Sequence, residues 1–471
     1  MALSNAQVLS QIPQAYKQTA AEAAAGVTPT NYAYPPGDAR RYGVKGDGAT
    51  DDTSALQEWL NVSEQSDGPL AFLGAGLNCK TTAALTYTGN IGIWMEAGAQ
   101  ISPTGSGYIA LTINVPLHAE FQIHIEGGGN ALTGLVLNNP KESIFQHVIV
   151  NGCAGIGVIA GSCWDCVFES ISVLQCGANN TTNLSSVGTA WSATQDSYAF
   201  ALIDAGNSCN MSHIVRLQVE QATAKAIYIS PNTLSCLIDN VHSEQAAAVS
   251  GITTWYLGGN RCTYNTGRYN ASGTPSNSTV YLDCANSTFI SFLSETDTSV
   301  SANAYSGEIS IICPEIDGTF AMSSGQSGQI NIFGGAISTL GSINDLYVNL
   351  WNVVVNGNLG LVTDRMFNES AIILSGIYTF VSTDQRRRVI YEGGTGGTVT
   401  IPANSSVAFP IGAQLRFINY TTASVSVAIT SDTLVEAASG ATGTRTLAAY
   451  GVAVIDKIAS TTWIISGQGI T

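Results

Sequence analysis

The feature that most constrains the fold is a spacing. Between Leu70 and about Leu374 a short pattern recurs: a small residue, any residue, a large apolar residue, two further residues, then a β-branched or aromatic residue. It stands at Ser143/Phe145/Val148, Cys166/Phe168/Ile171, Cys209/Met211/Ile214 and Cys236/Ile238/Val241, and more weakly at Cys262/Tyr264, Ser287/Phe289/Phe292 and Ser310/Ile312. Successive second members lie 23, 43, 27, 26, 25 and 23 residues apart. A β-rich unit of twenty-odd residues cannot close a core alone. It must bury its apolar row against the next unit, which predicts a solenoid of stacked coils. The separation of 43 marks an insertion within residues 177–197.

Composition agrees. A chain of 471 residues exceeds one compact core, and 49 glycines with only 11% charged residues suit short strands and tight turns better than helix bundles. The net charge of −16 argues against a nucleic-acid partner, which needs clustered Lys and Arg, and makes a neutral or mixed-charge glycan easier to hold than an anionic one. Ten cysteines in a chain this long are not a disulfide framework. Cys163 and Cys166 form a CxxC with no second pair at zinc spacing, so buried free thiols are expected, with Cys166, Cys209, Cys236 and Cys262 in one column and no metal or cofactor. No apolar run reaches membrane-spanning length and no basic-then-apolar leader opens the chain, so the expectation is a protein made in a cytoplasm without a secretion signal and not inserted in a membrane.

Ahead of the repeats, residues 2–25 read as an Ala- and Gln-rich helical segment interrupted by Pro13, and Thr28–Gly37 as a proline-rich linker. Asp38 to Leu60, DARRYGVKGDGATDDTSALQEWL, reads as a short strand at Arg41–Val44, a turn at Gly46–Gly48, and Asp51 and Asp52 capping a helix. That helix carries Ala55, Leu56, Trp59 and Leu60 on one apolar face. The run Y-G-V-x-G-D-G-x-T-D-D-T-x-A closely resembles the opening motif of the pectate-lyase-like superfamily of right-handed parallel β-helices, which includes bacteriophage tailspikes. The resemblance implies an all-β fold: a right-handed parallel β-helix over residues 38–380, its open N-terminal end plugged by the capping helix. Residues 1–37 would then be a docking segment.

From residue 381 to 471 strands alternate with turns and the coil period is lost. TVTIPANSSVAFPIGAQLRF and the closing WIISG resemble the small C-terminal β-domains of phage tail fibres and tailspikes. This implies a β-sandwich-like domain that caps a homotrimer or touches glycan. The same resemblance implies a virion location, attachment to the baseplate or tail through the N-terminus, and a bacterial surface polysaccharide as partner.

No nucleotide loop, serine triad or pectinase motif is present: G-H-G is absent and the one D-D pair is Asp51-Asp52. Chemistry must therefore be sought in columns. The segments VEQA at 219–222 and SEQA at 243–246 are near copies one coil apart, so Glu220 and Glu244 should stand side by side at the strand spacing of about 4.8 Å. Counting six residues past the apolar reference gives Glu244, Asn270 and Glu295, which puts Glu244 and Glu295 about 9.6 Å apart. Glycosidases use two carboxyls about 5–5.5 Å apart for retention or about 6.5–9.5 Å apart for inversion, so both geometries are available. A row of solvated carboxylates accounts for the same pattern.

On that basis Glu220, Glu244 and Glu295 are the expected catalytic residues of a glycoside hydrolase. Trp255, Tyr256, Tyr269 and, unless it only fills the apolar column, Tyr264 are expected to offer faces for sugar rings, Arg261 and Arg268 to hold carboxylates or hydroxyls, and Trp191, Gln195, Asp196 and Tyr198 to wall the groove from the insertion. His213 and His242, with Arg216 and Lys225, keep β-elimination by a polysaccharide lyase open. A glycan-binding adhesin without turnover fits the same scaffold.

Overall fold

The computed structural model describes residues 16–177, 198–204, 207–222, 225–245, 253–270, 279–295, 298–322, 328–341, 348–351, 353–355, 372–385, 388–393 and 396–471. The chain divides after Gly360 into two compact units. The first is a parallel β-solenoid of about twelve coils, and the second holds a separate sheet of nine strands. Among the described residues no helix is long and apolar enough to cross a membrane.

Each coil contributes to three parallel sheets, and each sheet has one inward row. In the first sheet the row runs Ala71, Ile93, Phe121, Phe145, Phe168, Ile214, Ile238, Tyr264, Phe289, Ile311, Ile332 and Leu350. Parallel pairing repeats every side chain at the strand spacing of about 4.8 Å, which is also a stacking distance for aromatic rings. Phe121, Phe145 and Phe168 accordingly stack at 4.9 and 4.7 Å, and Tyr264 on Phe289 at 4.6 Å. The second sheet carries Ile125, Val150, Val173, Val219, Ser243, Tyr269 and Ser294 inward. The third carries Leu135, Val158, Phe200, Ile227, Trp255, Val280 and Val300.

Two register assignments from the sequence are corrected. Phe168 pairs with Ile214, not Met211, and Phe289 with Ile311, not Ile312. Met211 occupies a corner where each coil turns through a left-handed residue, with φ +55, +47, +51, +50, +51 and +58 at His118, Glu142, Asp165, Met211, Ser235 and Arg261. Its side chain is therefore exposed. Directly after this corner comes the small-residue row, which holds Ser143, Cys166, Ser212, Cys236, Cys262 and Ser287. Its serine hydroxyls accept amides from the coil below, as Ser212 does from Cys166 (3.2 Å) and Ser287 from Cys262 (3.1 Å). Cys209 lies outside this row and accepts the Cys163 amide through its sulfur at 3.3 Å. All ten cysteines are free and nine are buried.

The opening motif closes the N-terminal end, with local corrections. Residues Ala39–Tyr42 form a 3-10 turn rather than a strand, because the Asp38 carboxylate accepts the Arg40 amide (3.0 Å) and Gly43 ends the turn with φ +100. Asp52 precedes helix α2, Thr53–Ser63, but its carboxylate turns back to the Lys45 and Gly46 amides (2.7 and 3.0 Å), and Asp51 takes the Thr53 amide (3.1 Å). Leu56, Trp59, Leu60 and Val62 of α2 are buried in the solenoid core, and Trp59 Nε1 donates to Gly37 O at 2.7 Å. The short helix α1, Ala20–Ala24, supplies Glu22, which forms a fully buried pair with Arg41 at 2.5 Å and accepts the Tyr42 hydroxyl at 3.0 Å.

The second unit begins with parallel stacking again, Leu374 to Tyr391 to Asn419 and Tyr378 to Val399 to Val427. It ends with Arg445–Ala459 antiparallel to both Gln414–Asn419 and Thr462–Ile470 around its own core of Phe380, Phe417, Ile455 and Trp463.

Burial opposes the charge on Glu22, but the hydrogen bonds from Arg41, the Thr19 amide and the Tyr42 hydroxyl outweigh it and hold its pKa below the ordinary 4.5. A depressed carboxylate stabilises the fold above its unfolded pKa and loses that contribution as pH falls through the folded one. Replacing Arg41 with Met should strip the first coils of about 3–5 kcal/mol. Hydrogen exchange, corrected for intrinsic rates, should then show lost protection at the Phe72 amide and unchanged protection at Ile311. The unaltered protein should begin to lose the same protection below about pH 4.5 and lose more of it as pH falls through the lower folded pKa of Glu22.

Candidate functional site

Along the second sheet the outward residues form two rows. One runs Glu126, Asn151, Leu174, Glu220, Glu244, Asn270 and Glu295, and the other His124, Ile149, Ser172, Gln218, His242, Arg268 and Leu293. Glu220 and Glu244 are register partners, and so are Glu244 and Asn270, and Asn270 and Glu295. The rows lock together through polar contacts. His242 Nε2 lies 3.4 Å from Glu244 Oε1 and 3.7 Å from Glu220 Oε1. Gln218 donates to Glu220 and accepts from Arg216 at 2.8 Å. Arg268 grips Glu295 with two bonds of 2.9 Å, and Asn270 adds a third at 3.1 Å. Glu295 raises the pKa of Arg268, with a smaller contribution from Glu244, so the guanidinium stays charged.

The carboxylates are only partly covered, at 28% exposure for Glu220, 41% for Glu244 and 26% for Glu295, so a ligand in solution can reach them. Beyond Glu295 the rows open into a recess of about 410 Å³ walled by Glu295, Glu315, Asp317 and Ser338 over Leu293 and Ile337. Asp317 and Glu315 continue the two rows by one coil. The six-residue count finds Asp317 when it starts from the true reference, Ile311, and misses it from Ile312.

The structure moves several expected site residues away from this face. Trp255 and Tyr269 are fully buried and cannot meet a sugar. Trp255 sits in the inward row of the third sheet and donates to Ser243 Oγ at 2.7 Å, and Tyr269 packs edge-on against it at 5.9 Å. The backbone causes the inversion at Tyr269: Thr266 adopts φ +55, which resets the in-out alternation after Tyr264. Gly267 leaves room, since a Cβ there would lie 2.7 Å from the Tyr269 ring. Tyr256 belongs to the third sheet, stacked on Tyr228 at 5.1 Å with its hydroxyl donated to Asp283. Arg261 is exposed at the left-handed corner rather than in the rows.

His213 pairs with Asp239 at 2.8 Å on the first sheet, and Lys225 lies 5.0 Å over the Tyr198 ring, so neither joins His242. Trp191, Gln195 and Asp196 lie outside the described residues. The two outward rows hold no Phe, Tyr or Trp among the described residues.

No protein-family model and no curated protein matches the chain. Among solved structures it is similar to the crystal structure of PfbA, a surface adhesin of Streptococcus pneumoniae, with 11% identity and a TM-score of 0.29 over 91% of this chain and 97% of that one. A likeness at that score carries no argument about function.

Core and site placements of the aromatics give opposite mutant behaviour. The Tyr269 hydroxyl is buried without a hydrogen-bond partner among the described residues, so Tyr269→Phe should be neutral or stabilise by about 1–3 kcal/mol. Trp255→Ala should destabilise by about 3–5 kcal/mol. Chemical denaturation monitored by circular dichroism measures both.

Proposed function

We propose that this chain is a phage tailspike whose solenoid binds a bacterial surface polysaccharide along the second sheet and cleaves it within the chain by hydrolysis. One observation carries the reading: a row of partly exposed carboxylates, interleaved with His242 and Arg268, that leads into an open recess. Glu244 is the proton donor, being the most exposed of the three and held, among the described residues, by no bond shorter than 3.4 Å. Its partner is either Glu220, one rung away at about 4.8 Å, or Glu295, two rungs away at about 9.6 Å. The first spacing suits retention of anomeric configuration and the second inversion. Arg268 is committed to Glu295 by two hydrogen bonds, which leaves it poorly placed to neutralise a uronate carboxylate. That ranks hydrolysis above β-elimination.

The phage assignment is supported by the opening motif together with a parallel solenoid followed by a separate β-unit. A homotrimer attached through its N-terminus, acting on the virion, belongs to the same reading. An adhesin that binds the glycan without turnover is the second reading, favoured by the hydrogen bonds that already occupy Glu220 and Glu295.

The test is incubation with capsule or lipopolysaccharide. New reducing ends without the ultraviolet absorbance of an unsaturated uronate are expected, and Glu244→Gln should lower turnover by about 10²–10⁴-fold. Proton NMR of the first-formed anomer separates the partners: retention assigns Glu220 and inversion Glu295. Unsaturated products would replace hydrolysis by elimination. Binding with no products would leave the adhesin.

A further inference from the structure

A sugar on the acidic rows meets carboxylates, amides and a guanidinium but no flat apolar platform. Such a platform stands at another edge of the coil. Trp164 lies at the corner between the third and first sheets, in the bridge-paired row Leu117, Lys141, Trp164, Asn210 and Leu234. Its side chain is 50% exposed. It borders a recess of about 290 Å³ whose other walls are Asn139, Lys141, Ser162, Asn207, Ser208 and Asn210. Every one of those walls is a hydrogen-bonding side chain, one is a cation and none is a carboxylate, in a chain whose net charge is −16.

The walls are held in place. Ser162 Oγ donates to Asn207 O at 2.6 Å, Asn210 N donates to Cys163 O at 2.8 Å, and Trp164 N donates to Pro140 O at 2.9 Å. Lys141 Nζ stands 5.9 Å from the Trp164 ring centroid, which leaves much of the indole uncovered. An indole face takes the C–H face of a pyranose, amides and hydroxyls take its hydroxyl groups, and an ammonium takes a carboxylate.

We infer that this recess is a second glycan-binding site, separate from the acidic rows, that takes a pyranose bearing a carboxylate. The inference rests on the reading of the chain as a polysaccharide-handling protein and adds a holding site to it. A polymer anchored at Trp164 stays at high local concentration over the acidic face.

Saturation-transfer NMR on the full chain tests this, with glucuronate, N-acetylneuraminate and glucose as probes. At least one of the two acid sugars should bind, and more tightly than glucose. Trp164→Ala should weaken that binding about tenfold or more, with unchanged circular dichroism because the side chain is half exposed. Lys141→Met should bring the acid sugar down to the level of glucose, and Glu244→Gln should leave all binding here intact while removing cleavage. The inference is overturned if neither acid sugar binds, if Trp164→Ala binds as the unaltered protein does, or if Lys141→Met keeps the preference. Loss of turnover in Glu244→Gln reports on the acidic rows alone, so either site can fail without the other.

Discussion

Each coil is hydrogen-bonded in parallel to the coil below and the coil above, and almost everything else in the solenoid follows from that pairing. Parallel register turns a repeat along the chain into a straight row across a sheet, at a spacing of about 4.8 Å. The rule applies to any side chain. Inside, it stacks Phe121, Phe145 and Phe168 and lines up Cys166, Ser212, Cys236 and Cys262. Outside, the same spacing sets Glu220 beside Glu244, where like charges repel, and His242 lies within ion-pair distance of both. Arg268 does the same for Glu295 further along.

Such a stack has an exposed first rung, and an unpaired apolar end invites association. The opening motif answers this by spending its polar residues on closure. Asp52 ties the Lys45–Gly46 turn, Glu22 and Arg41 lock α1 to the segment before the first coil, and α2 lays Leu56, Trp59 and Leu60 over the core. The most conspicuous carboxylates of the sequence therefore serve the end of the solenoid, and the proposed chemistry is placed on the middle and later coils.

The two polar features differ in what they can do. The acidic rows offer paired carboxylates at rung spacing and no platform for a sugar ring. The Trp164 recess offers a platform, amides and a cation, and none of its described walls is a carboxylate. The proposed division into a reacting face and a holding corner suits a long rigid polymer, since a solenoid can present several sites at fixed separations on one scaffold.

How far the sequence could be read depended on whether a property is local to one rung. The coil period, the solenoid, the insertion, the helix at the N-terminal end and the glutamate rows all followed from the sequence, because parallel pairing carries linear spacing directly into space. What the sequence could not supply was the facing of residues beyond a corner. Tyr269 and Trp255 looked like sugar platforms and are core, while Asp317 was lost to a reference one residue out of step. At Tyr269 and Ile214 the reason is the backbone at the bends: a single left-handed residue, Thr266 or Met211, resets the alternation of in and out. Only the folded coils, pairing Phe168 with Ile214 and Phe289 with Ile311, decide which side of the sheet each following side chain occupies.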